Sequence, residues 1–161
     1  MKGPNRMKDP MNMLEVVAEL RQRPRGRACV VLTSDYAGQK DWAAKLASQT
    51  DSSHVHVLDV FAGDTALSDK ISSFLIPDFF KWLLGYASKP VLIVSGFEFL
   101  LASWSGLGTA VEEFAFKVEM WEETPALLFV TQFDMYLAER KFTRHPDDVF
   151  VINQKDTLAL A

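Results

Sequence analysis

Pro90-Val91-Leu92-Ile93-Val94-Ser95-Gly96-Phe97-Glu98-Phe99-Leu100-Leu101 is the stretch that decides the fold class of this chain. Four aliphatic residues run on without alternation, a Ser-Gly pair interrupts them, and an apolar helical start follows. A strand with one wet face alternates apolar and polar residues, whereas a strand buried on both faces does not. Residues 90–95 are therefore predicted to be an interior strand of a parallel sheet. The pattern recurs at 28–33 (ACVVLT), 55–60 (VHVLDV) and 126–131 (ALLFVT), with a shorter fifth run at 149–152 (VFVI).

Between these runs the apolar spacing turns helical. Asp9-Pro10 predicts a helix over 10–22, with Asp as cap, Pro in the first turn and Met13, Val16, Val17 and Leu20 on one face. Residues 40–48 (KDWAAKLAS) predict a second helix, and 133–141 a short one. Residues 68–87 carry Ile71, Phe74, Leu75, Phe79, Trp82, Leu83 and Tyr86 on one stripe. Pro77 lies inside that segment, so a kink or two consecutive helices is expected. Residues 109–123 place Val111, Phe114, Ala115, Val118 and Trp121 together. Strands alternating with helices predict one α/β domain over 1–161, a three-layer sandwich with a mainly parallel five-stranded sheet. Residues 1–9, with Lys2, Arg6 and Lys8, are expected to form a flexible arm.

Composition narrows the classes. Of 161 residues, 48% are hydrophobic and 24% charged, a balance that builds a core rather than a disordered chain. The single cysteine, Cys29, excludes an intramolecular disulfide and a Cys-only zinc site. A net charge of −4 argues against a protein that coats nucleic acid. Apolar runs fall short of a membrane span and the first residues lack a signal peptide's apolar stretch, so a cytoplasmic protein without membrane insertion is expected.

In open parallel sheets, ligands sit beyond the carboxyl ends of the strands. Those ends carry Ser34-Asp35-Tyr36-Ala37-Gly38-Gln39-Lys40-Asp41, Ser95-Gly96-Phe97-Glu98 and Thr131-Gln132-Phe133-Asp134. The first loop resembles the phosphate-binding loop of P-loop NTPases in length and place, with Lys40 at the lysine position. The run 91–101 resembles the Walker B segment of the STAND and AAA-like branches, and 126–131 followed by Gln132 resembles their fourth strand. The resemblance covers roughly 27–152 and is one of layout. Ser34 and Gln39 replace the two glycines, Gly38 falls one residue early, Asp41 replaces the magnesium-binding hydroxyl, and Ser95 replaces the Walker B aspartate. Glycine lets backbone N–H groups close around phosphates, and Ser34 and Gln39 oppose that shape. Asp41 would repel a triphosphate unless a metal intervened. The resemblance thus implies a P-loop-like domain that has lost its ATPase chemistry, with no required cofactor. Gly38, Lys40 and Asp41 would be the contacts if ATP bound weakly. An alternative is a weak NTPase using Lys40, with Glu98 positioning water.

Other constellations compete. His54 and His56 alternate on the second strand and could form a metal pair, although metals generally need three or four converging ligands. Asp35, Asp59 and Asp134 near strand ends could form a carboxylate cluster beside Lys40. The basic residues Arg21, Arg23, Arg25, Arg27, Arg140, Lys141 and Arg144 precede strands and are expected on one rim. That rim would be solvated, or would meet an acidic partner or nucleic-acid backbone. Ile76, Phe80 and Leu84 form a second apolar row on the 68–87 segment, and Phe116 and Met120 lie off the stripe of 109–123. These five are expected either to meet other helices or to form a protein interface, homodimeric or with a regulated partner.

Overall fold

The computed structural model describes residues 9–86, 88–107 and 109–161. Five strands form one all-parallel sheet in the order β2-β3-β4-β1-β5. They are β1 (Ala28–Thr33), β2 (Ser53–His56), β3 (Val91–Ser95), β4 (Ala126–Gln132) and β5 (Val151–Asn153). The helices are α1 (Met13–Gln22), α2 (Gln39–Thr50), α3 (Val57–Ala62), α4 (Thr65–Asp69), α5 (Ile76–Leu84), α6 (Glu98–Trp104), α7 (Ala110–Met120) and α8 (Met135–Glu139).

Period-two geometry sends successive side chains to opposite faces. On β1, Cys29 and Val31 meet α1 and α2, together with Val91 and Ile93 of β3 and Leu128 of β4. Ala28, Val30 and Leu32 face the other way, into a core with Leu92, Val94 and Phe129. That second core is covered by α3, α5, α6, α7 and α8, through Phe61, Phe79, Leu100, Phe114 and Leu137. Both faces of the interior strands are buried, which is why their sequences show no alternation. The result is a three-layer α/β arrangement. Among the described residues, no helix is long and apolar enough to cross a membrane.

Several sequence expectations are corrected here. The 10–22 helix opens later, at Met13, because Met11 instead pairs with Thr157, its N–H donating to the Asp156 carbonyl at 2.9 Å. Asn12, rather than Asp9, is the cap and accepts from the Leu14 N–H at 2.9 Å. Apart from Asp9, the expected arm lies outside the described residues. The strand expected at 55–60 is β2 at Ser53–His56, with α3 beginning at Val57. Its partner β3 ends at Ser95, and the Leu58 N–H turns inward to the Gly96 carbonyl at 3.0 Å. Val57 and Phe61, four apart, then share the buried side of a helix. The fifth strand is Val151–Asn153 rather than 149–152.

The 68–87 segment divides into α4, a 3₁₀ turn at Ile71–Ser73, and α5. Pro77 lies in the first turn of α5, where its missing N–H costs nothing. The second apolar row stays together on α5, but that helix turns most of it into the core. Ile76 and Phe80 are buried, with Phe80 against the rings of Phe114, Trp121 and Phe129, and so are core rather than interface. Leu84, Phe116 and Met120 remain exposed.

Candidate functional site

β1 connects through α2 on one face of the sheet, while its neighbour β4 connects through α8 on the other. Adjacent strands that leave in opposite directions open a crevice at their carboxyl ends. This is where the three loops singled out from sequence converge.

The protein's own side chains bridge the crevice. Gln39 opens α2 and is 1% exposed. Its Oε1 accepts from the Gly96 N–H at 3.0 Å, and its Nε2 donates to Glu98 Oε2 at 2.6 Å. The reverse orientation would set an amide NH₂ against an N–H and an oxygen against a carboxylate, so the network fixes this one. Glu98 Oε2 also accepts from the Gln132 N–H at 2.9 Å and from Thr131 Oγ1 at 3.2 Å. One carboxamide and one carboxylate thereby join the ends of β1, β3 and β4. Glu98 Oε1 is buried, with no hydrogen-bond partner among the described residues.

Beside this network, Ser95 is fully buried and its hydroxyl serves two rings. His54 Nε2 lies 2.9 Å from Oγ and His56 Nδ1 lies 2.8 Å from it. The hydroxyl has a single proton, so at least one ring nitrogen donates to it. Burial is the main cause that pushes the His54 pKa down to about 4, with the His56 charge adding to it. Burial also lowers His56, against an opposing pull from Asp59. The His56 ring lies over Gly96, whose φ is +70°. The expected histidine metal pair is thus a pair bound to serine. Among the described residues, no three His, Cys, Asp or Glu groups gather as a metal site.

The nucleotide-loop residues are placed as follows. Gly38 precedes α2 with φ −93° and ψ 0°, in right-handed rather than left-handed backbone. Lys40 is exposed and forms an ion pair with Asp59. The hydrogen bond between them raises the lysine and lowers the carboxyl from their ordinary values. Asp41 is exposed in the first turn of α2. Asp35 accepts from the Ala37 N–H at 2.9 Å and Asp134 caps α8, so each serves its own loop. Of the expected carboxylate cluster, Asp59 meets Lys40.

Several members of the expected basic rim make structural bonds. Arg23 is 4% exposed. It pairs with Glu19 and donates to the carbonyls of Gly26 at 3.0 Å and Val149 at 2.9 Å, its guanidinium over Phe150. Arg21 donates to the Thr50 carbonyl, and Arg27 to those of Arg21, Arg23 and Glu123. Arg140 pairs with buried Glu119 at 3.4 Å and lies over Phe142. Arg144 lies over the exposed Phe116 ring. Arg25, Lys141 and Arg144 are the exposed members of the set.

Sequence reading missed Gln39 as a bridging group, the shared Ser95 hydroxyl and the role of Thr131. The signal for the first was present: a long carboxamide where a phosphate loop needs glycine. No protein-family model, curated protein or solved structure matches this chain.

Proposed function

We propose that the protein is a non-catalytic domain of P-loop-like layout that acts as a protein-interaction or regulatory subunit in the cytoplasm. The observation that carries this reading is the Gln39 side chain, which bridges the Gly96 N–H and Glu98 across the crevice. A phosphate cradle needs free backbone N–H groups and an available cation. Here the loop N–H groups of Ala37 and Gln39 donate to Asp35 Oδ1 and the Tyr36 carbonyl, Lys40 is neutralised by Asp59, and Asp41 adds negative charge. Water positioning by Glu98 would need a carboxylate oxygen turned outward. Its Oε2 accepts from three donors and its Oε1 is buried. The interaction role draws support from Phe116 and Met120, exposed side by side on α7.

Isothermal titration with ATP and magnesium tests the reading. The expected result is no saturable heat at millimolar nucleotide. Stoichiometric micromolar binding that disappears in Lys40→Ala would overturn it in favour of the NTPase alternative.

A further inference from the structure

We propose that the open edge of β5, with the groove beside it, docks an extended, basic segment of a partner protein. This deepens the interaction reading above and rests on it. The Val30 N–H donates to the Phe150 carbonyl at 2.8 Å, and Val30 and Leu32 stand in register with Val151 and Asn153. In a parallel ladder, alternate residues of a strand bond to one neighbour. Phe150 and Ile152 therefore serve β1, and the N–H and C=O groups of Val151 and Asn153 point the other way. β5 ends the sheet, and among the described residues no strand pairs with it on that side. Such a row of backbone groups is a template for an added strand.

A short strand offers few backbone bonds, so side-chain recognition has to come from the groove. A cavity of about 570 Å³ runs along the edge, lined by Asp9, Pro10, Met11, Val149, Val151 and their neighbours. A second, of about 540 Å³, shares Asp9 through Met11 and continues over Val16 and Leu158. Val149 and Leu158 are exposed apolar side chains at this surface. The charges are unequal. Asp9, Glu15 and Asp156 face Lys155, while Glu19 and Arg23 neutralise each other. Side chains of an added strand alternate between faces. An occupant with apolar residues on one face and lysine or arginine on the other meets both the groove and its acidic rim.

The probe is an end-blocked, fluorescently labelled peptide alternating lysine with valine, read by anisotropy against the full-length protein. Saturable binding is expected, weakened about tenfold in Val151→Pro and weakened also in Asp9→Asn/Glu15→Gln. Proline removes the outward N–H and leaves the ladder to β1 intact, as edge strands tolerate. Equal binding by Val151→Pro, or preference for the glutamate–valine counterpart, overturns the proposal. Should that variant not fold, wild-type amide resonances decide: shifts at Val151 and Asn153 support the site, and shifts confined elsewhere overturn it. A peptide-free dimer abolished by Val151→Pro would assign the edge to a second copy instead. Binding that appears only after Lys2, Arg6 and Lys8 become glutamine would assign it to this chain's own basic segment. Both outcomes overturn the partner proposal. Peptide binding together with ATP binding would remove the non-catalytic reading and leave the docking site. Neither ligand binding would do the reverse.

Discussion

Gly96 is where a single missing Cβ decides the geometry of the carboxyl edge. Its φ of +70° disfavours any L side chain, and an added Cβ would lie 2.5–2.7 Å from His56 ring atoms. Gly96→Ala is expected to cost about 2–4 kcal/mol, from backbone strain plus the clash. His56→Ala in that background should restore part of the loss, because it removes the clash and leaves the strain. Urea unfolding of the two single variants and the double variant checks this, and simple additivity would contradict it. His54 makes a pH prediction. Its folded pKa lies near 4, below the value of about 6.5 expected unfolded. Between those values the unfolded chain binds more protons than the folded one, so stability rises with pH across that window. It is fully present above pH 6.5 and lost as pH falls toward 4. His56, whose pKa burial also lowers, adds a loss of the same sign as pH falls below about 6.5, while the lowered pKa of Asp59 acts below the ordinary carboxylate range. The urea midpoint should therefore drop between pH 7 and pH 5, and drop less in His54→Asn. An equal drop in that variant would show that another group carries the dependence.

At the scale of elements, Arg23 ties the end of α1 to the chain entering β1 and β5. Its buried guanidinium satisfies Glu19 and the carbonyls of Gly26 and Val149. Arg23→Met keeps the bulk and strands those acceptors, with an expected loss of about 2–4 kcal/mol. Arg23→Lys should recover only part, since an ammonium cannot reproduce the planar fork. Exposed Arg25→Ala is the comparison and should change stability by less than about 0.5 kcal/mol. Equal losses in chemical denaturation would return Arg23 to the solvated rim that its sequence position suggests. The difference between the two arginines was invisible in the sequence, where they are identical letters two residues apart. Strands were more legible. β1 matches its sequence boundaries, and β3 and β4 differ by a residue, because burial on both faces imposes uninterrupted Val, Leu and Ile. β2 was not legible in the same way. VHVLDV continues to look like a strand after His56, and only the end of β3 and the Gly96 carbonyl turn it into α3.

Across the whole molecule, the two cores differ in kind. Phe129 sits among Phe79, Phe80, Phe97 and Phe114, with ring centroids 5.1–6.1 Å apart, while the opposite face is filled by aliphatic side chains and Ala43 and Ala47 of α2. Small residues let α2 lie close to the sheet, which brings Gln39 to the crevice. The sequence placed the three loops at one end of a parallel sheet, and the structure has them there. It could not reveal that they bond to one another, because Gln39 and Glu98 are 59 residues apart and Glu98 and Thr131 are 33 apart. Such partners follow from strand order, and strand order is not written in local periodicity. The network also makes a prediction that separates closure from loss of function. Gln39→Ala leaves the Gly96 N–H without its acceptor and removes one donor from Glu98. The expected cost is about 2–3 kcal/mol, with faster hydrogen exchange at Gly96. ATP binding should still not appear, because Lys40 remains paired with Asp59 and Asp41 remains in the first turn of α2. If nucleotide did bind to Gln39→Ala, the carboxamide would be the decisive barrier. The crevice would then be a working nucleotide site held shut, and the Lys40–Asp59 pair would have to open as the phosphates entered.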